Sequence, residues 1–146
     1  MKIKDKLIEF GIIFLALGVL GTITYHQFNL AAARSRDADR ISSLHELSKA
    51  VRLYYKDYKK LPAEKLINSL WGKTWKDGDY TYLEVMPNEN KLGKNFCYRN
   101  GVEGKSFMFF ADLEDYTDSD CKKDQWECGG VKYCYRQELE AEVVKF

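Results

Sequence analysis

From Phe28 to Lys60 the chain contains neither proline nor glycine, and the stretch is rich in Ala, Leu, Arg, Lys and Glu. These residues lose little freedom in a helix, and nothing within the run interrupts one. Upstream, an uncharged run of sixteen residues, Phe10 to Tyr25, leads into it without a break. The pattern predicts one continuous helix from about Lys6 to Tyr58, on the order of 80 Å at 1.5 Å per residue. A chain of 146 residues cannot wrap such a rod along its length, so part of it must meet something other than its own domain.

The sixteen uncharged residues span roughly 24 Å, somewhat less than a ~30 Å hydrocarbon core, and Leu7 and Ile8 extend the apolar character across Glu9. Lys2, Lys4 and Lys6 precede the run, so the positive-inside bias leaves the N-terminus in the cytoplasm and sends everything after Tyr25 across the membrane. A removable signal peptide is the competing reading, because Ala31 and Ala33 stand in an A-x-A arrangement. The polar interval "TITYHQFN" is too long for that, and a retained helix is expected. Glu9 is the one acid at the entrance of the apolar run. An unpaired carboxylate at a bilayer centre costs roughly 2.5 kcal/mol or more, so Glu9 must sit at the interface or find a partner.

Further along, Ile41, Leu44, Leu47, Val51, Tyr54, Tyr55 and Tyr58 recur at three- and four-residue steps. They form the stripe of a helix resting on a core, with the tyrosines read as core aromatics whose hydroxyls stay wet. Just before them "ARSRDADR" (Ala33 to Arg40) is charged on all sides and is expected to stand uncovered, so packing should begin at Ile41. Leu61 and Pro62 end the helix.

A basic leader, the triplet "LIE" (Leu7 to Glu9) opening an apolar run, the continuation "AARSRDADRISSLHELSKAVRLYYKDYKKLP" and a cysteine-bearing C-terminal region together resemble type IV pilins and type II secretion pseudopilins. The resemblance covers Lys2 to about Pro62, and the remainder in architecture only. It implies a filament subunit that is not an enzyme. Its partners would be copies of itself, the membrane before assembly, and an inner-membrane assembly platform with its ATPase. Localisation would pass from the inner membrane to a surface or periplasmic filament. The resemblance also implies that Glu9 takes the role of the family's glutamate, which neutralises the N-terminal amine of a neighbouring subunit. The sequence departs from the family at the processing motif, a glycine and a phenylalanine lying just before the glutamate. Lys4 and Asp5 occupy those positions, so the resemblance does not carry cleavage or N-methylation over. A lysine ammonium such as Lys4 or Lys6 then stands in as the partner of Glu9. The alternative is a single-pass anchored binding module that never polymerises.

The last third holds all four cysteines, Cys97, Cys121, Cys128 and Cys134. Downstream of an export-like N-terminus, an even cluster reads as two disulfides. Zinc is disfavoured: the cysteines are separated by 23, 6 and 5 residues with no Cys-x-x-Cys knuckle, and His26 and His45 lie far away. Three pairings are open. The preferred one closes Cys121 to Cys128 locally and joins Cys97 to Cys134 between strands. "KNFCYRN" and "SFMFFADLE" read as a hairpin, with a third strand at Val131 to Arg136, while Trp71 to Asn90 reads as a loop-rich connector whose Trp71 and Trp75 cap the core. The intervening acidic run is a solvated loop on the plain reading and a weak calcium site on the sharper one, with Asp115, Asp118 and Asp120 as ligands. It lacks the order of a dedicated calcium loop, and no other cofactor is implied.

The net charge of +1 supplies no field that would recruit nucleic acid. No nucleophile elbow, phosphate loop or paired metal-binding histidine occurs. The expected fold is α+β: a long N-terminal helix, its membrane half uncovered and its second half packed, with a small C-terminal antiparallel sheet. Its parts are a leader and apolar helix over 1–30, an amphipathic continuation over 31–62 and a disulfide-bearing β domain over 63–146.

Overall fold

A computed structural model describes residues 3–89, 92–116, 121–123 and 125–142, with side chains from Lys6 onward except that of Leu7. Helix α1 runs over Ile3–Tyr58, 56 residues without a break. The chain divides into two compact units, Met1–Ser35 and Arg36–Phe146, and α1 passes through the boundary. The described residues of the first unit are helix alone.

In the second unit α1 stops where Lys59 adopts φ 56° and its N–H bonds back to Tyr55 O at 2.7 Å, just ahead of Pro62. A short helix α2 (Glu64–Asn68) follows. Strands β1 (Trp75–Asp77) and β2 (Tyr80–Leu83) then form an antiparallel hairpin inside the stretch expected to be loop. The signal was there in "KDGDYTY", an Asp-Gly pair ahead of alternating aromatics.

The main sheet has the order β3-β4-β7 and is antiparallel throughout: β3 (Cys97–Asn100), β4 (Ser106–Ala111) and β7 (Tyr135–Glu140). The β3–β4 hairpin is the expected one. The third strand differs. Val131 to Arg136 splits at Cys134 into β6 (Val131–Tyr133) and the start of β7. Strand β6 pairs with β5 (Trp126–Cys128), and β7 pairs with β4 in the register Phe107↔Leu139. The β5–β6 turn is Gly129-Gly130 at φ 60° and 79°, the two left-handed residues that a tight hairpin of this twist requires.

The helix stripe meets the sheet as expected. Leu44, Leu47 and Val51 are fully buried in one cluster with Trp75, Tyr98, Phe107 and Phe109. Tyr54 and Tyr55 are partly buried against this cluster, while Tyr58 is 44 % exposed. Trp75 is itself core, and Trp71 packs on its edge against Phe96 at 5.9 Å.

All four cysteines form disulfides, but not in the preferred pairing: the bonds are Cys97–Cys128 and Cys121–Cys134. The reason is where the second hairpin packs. Strand β5 lies against β3, so Cys128 joins a buried cluster with Cys97, Phe110 and Tyr133. Cys134, at the β6–β7 junction, packs instead with Leu113 and Cys121, and the Leu113 N–H points at its sulfur.

Candidate assembly surface

The first unit presents apolar surface on every side. Twelve large apolar or aromatic side chains between Ile8 and Phe28 are exposed, Phe14 at 73 % and Phe28 at 72 %. Leaving so many side chains in water forgoes on the order of 20–35 kcal/mol of burial, more than the whole net stability of a small domain. The helix is long and apolar enough to cross a membrane. Its polar atoms are arranged to tolerate one: the Thr22 and Thr24 hydroxyls donate to Val19 O and Leu20 O, both at 2.8 Å, so neither needs water. A helix apolar all round fits lipid or a bundle of other helices.

Glu9 stands at the start of this surface, exposed, in a shallow groove with Lys6, Phe10 and Ile13. It has no hydrogen-bond or ion-pair partner among the described residues. Lys4 and Asp5 lie one turn earlier within α1, and their side chains fall outside the described residues.

At the start of the second unit the structure corrects the sequence reading. Asp37 and Arg40, expected to be uncovered, are only 6 % and 5 % exposed. The Arg40 guanidinium donates to Asp37 Oδ1 at 2.5 Å, Glu89 Oε2 at 2.5 Å and Glu114 Oε1 at 2.9 Å. Arg36 grips Glu114 with two hydrogen bonds, Nε to Oε1 at 2.9 Å and Nη2 to Oε2 at 2.5 Å. The Asp37 carboxylate accepts the backbone N–H groups of Glu114 and Asp115, each at 2.9 Å. Burial pulls the Arg40 guanidinium toward neutrality. The carboxylates of Glu89, Glu114 and Asp37 outweigh it and hold the guanidinium above its usual range.

The network fastens the segment after β4 and the segment before β3 to α1, and coverage begins a full turn before Ile41. Arg36, Asp37 and Arg40 share a helix face at i, i+1 and i+4, which the sequence displays. Their partners, 49 and 74 residues downstream of Arg40, are visible only in the fold.

The weak calcium reading gains little here. Asp115 is buried, with its N–H on Asp37, while Asp118 and Asp120 lie outside the described residues. Among the described residues no group of three His, Cys, Asp or Glu side chains is placed to hold a metal ion. His26 is exposed on α1, and His45 sits with Nδ1 3.3 Å from Gln137 Nε2.

No protein-family model, curated protein or solved structure matches this chain. Its function must therefore be argued from its own residues.

Proposed function

We propose that this chain is a structural subunit of a filament of the type IV pilus or type II secretion pseudopilus kind, held in the membrane by α1 before assembly. The carrying observation is the uncovered apolar surface from Ile8 to Phe28 on a helix that continues unbroken into a packed domain. In lipid that surface is satisfied by acyl chains. In a filament core it is satisfied by the same surface of neighbouring copies, so transfer between the two leaves the apolar term nearly unchanged. Glu9 supplies what apolar packing lacks, a penalty for misalignment. An unpaired carboxylate between apolar helices is costly, so only the register that brings a cation to it is tolerated. Lys4 and Lys6 are the cations near it in sequence if the N-terminus is left uncut. Assembly would draw on a membrane platform and its ATPase, the domain after Tyr25 lying on the far side of the membrane.

The test is microscopy of fibres sheared from the producing cells and labelled with antibody to this chain. Labelled fibres are expected, and Glu9→Leu should leave the membrane pool intact while reducing labelled fibres at least tenfold. Label confined to membranes in the unaltered strain would refute the filament reading. That result would favour the anchored, non-polymerising module, to which the Lys4-Asp5 departure lends its weight.

A further inference from the structure

The last turns of α1 carry two unlike surfaces. On one flank of α1 Lys49, Arg52 and Lys56 recur at three- and four-residue steps, within an arc of roughly 60° at 100° per residue, and Lys59 follows just past the helix end. With Tyr55 they line an open groove of about 670 Å³ in which Glu142 is the single acid among the lining residues. Arg52 is fixed by its Nε–H to Glu140 O at 3.1 Å, and no carboxylate among the described residues pairs with any of the four cations. Lys59 sits at φ 56°, a backbone position where glycine is the residue of choice. Helix termination alone does not call for a lysine there. The groove gains a fourth cation from it.

The opposite flank is acidic and aromatic. Tyr58 and Asp57 of α1 meet Asp77 and Tyr82 of the β1–β2 hairpin, where the Tyr80 ring packs on Tyr82 at 4.9 Å and exposed Asp79 stands in the turn between the strands. The Tyr58 hydroxyl donates to Asp77 Oδ2 at 2.7 Å and the Tyr82 hydroxyl to Asp57 Oδ2 at 3.0 Å. Each carboxylate is thereby held in place, with its second oxygen unengaged among the described residues. Tyr58 and Tyr80 are 44 % and 50 % exposed, offering ring faces on which lysine and arginine stems can lie.

We propose that the two surfaces meet between copies of this chain: the Asp57–Asp77 patch of one copy docks in the Lys49–Lys59 groove of the next. The inference deepens the filament reading and rests on it for its setting. Two different, complementary patches on opposite flanks of one helix make a head-to-tail contact, which each new copy repeats instead of closing as a two-fold dimer. The charges select the partner flank. The tyrosine faces and lysine stems supply the contact area.

The test uses the full chain in the membranes and fibres of the producing cell, carrying Glu142→Cys at the groove and Asp79→Cys beside the patch together, so that the four cations and both tyrosine-held carboxylates stay in place, with the native disulfides verified by peptide mapping. Mild oxidation should give a ladder of dimers, trimers and longer species, while either substitution alone should leave monomers. Adding Lys59→Gly should cut the ladder at least fivefold without lowering the melting temperature. Raising salt to about 0.5 M during assembly should weaken the ladder as well. The proposal is overturned by an absent ladder, by equally abundant dimers from either single cysteine, or by a ladder indifferent to Lys59→Gly and salt. Labelled fibres without a ladder would sink the docking surface alone. A ladder without fibres would sink the filament reading and leave the docking surface standing.

Discussion

Replacing Arg40 by methionine tests whether the ion network or the apolar core holds the second unit onto α1. Arg40 is 5 % exposed and serves three carboxylates. Removing one member of a buried charge pair typically costs 3–5 kcal/mol, because the remaining charge stays buried without its counterion. Here all three retain support, Glu114 from both donors of Arg36, Asp37 from two backbone N–H groups and Glu89 from the Leu92 N–H at 3.3 Å. The loss should therefore lie at the low end, about 3 kcal/mol, still a large fraction of a small domain's stability. All three tryptophans, Trp71, Trp75 and Trp126, lie in the second unit, so their fluorescence reports its unfolding without interference from the apolar half. Urea is the suitable denaturant, since guanidinium would screen the network under study. With a slope of about 2 kcal/mol/M, the full chain in detergent should unfold with its midpoint lowered by about 1.5 M. Arg36→Met should cost less, because that side chain is 38 % exposed. The double variant Arg40→Met with Glu89→Met should recover part of the loss by removing a carboxylate that has lost its short hydrogen bond to Arg40. A shift below about 0.3 M, or equal shifts for the Arg36 and Arg40 variants, would refute the claim that buried charge closes this end of the domain.

Non-reducing peptide mapping should recover Cys97 linked to Cys128 and Cys121 linked to Cys134; a Cys121–Cys128 peptide would overturn the packing given for β5. From sequence separations of 31 and 13, loop entropy puts the cost of removing the pairs at about 3.7 and about 2.9 kcal/mol respectively, and thermal melts of the two double-alanine chains should rank accordingly. Tyr98 is fully buried against Phe107 and Phe109, and its hydroxyl has no hydrogen-bond partner among the described residues. Tyr98→Phe should therefore stabilise the domain by about 1 kcal/mol, raising the melting temperature by about 4 °C. Burial, with the nearby Glu64 charge, holds the Tyr98 hydroxyl above its ordinary value of 10.0. The folded chain thus keeps a proton that the unfolded chain releases above pH 10. That contribution is intact below this pH and is lost as the pH climbs through the raised value, so Tyr98→Phe should flatten the alkaline fall in stability.

What the sequence made legible is what periodicity encodes. The helix from Ile3 to Tyr58 follows from the absence of proline before Pro62 and of glycine from Phe28 onward, and the burial of Leu44, Leu47 and Val51 from their spacing on one face. The β3–β4 hairpin follows from two aromatic runs across a glycine-bearing turn. Two departures share one origin, since each depends on which distant segments meet. Asp37 and Arg40 look like solvated helix charges until Glu89 and Glu114 arrive from loops far along the chain. Cys121 and Cys128 look like a local pair until β5 turns Cys128 toward β3. The β1–β2 hairpin is hidden for a different reason: its Asp-Gly turn reads equally as punctuation in a loop, and only the alternating residues after it mark a strand.

The two units treat their apolar surface differently, and on the filament reading this difference decides what each would contribute to assembly. The domain closes over α1 with a core, two disulfides and an ion network, and on the two flanks at the end of α1 it leaves charge and tyrosine hydroxyls outside. Such groups contribute little net affinity in water but strongly favour one orientation over others. The first unit is the reverse: twelve exposed apolar side chains give a large drive toward burial and almost no preference for where or how. An assembly built on that surface alone would slide in register. One carboxylate at its entrance and two charged flanks near its far end on the same unbroken helix are the features able to stop the sliding. Glu9→Leu and the cysteine ladder between groove and patch therefore probe two halves of a single requirement of the filament reading, that a helix able to pack anywhere be made to pack in one place.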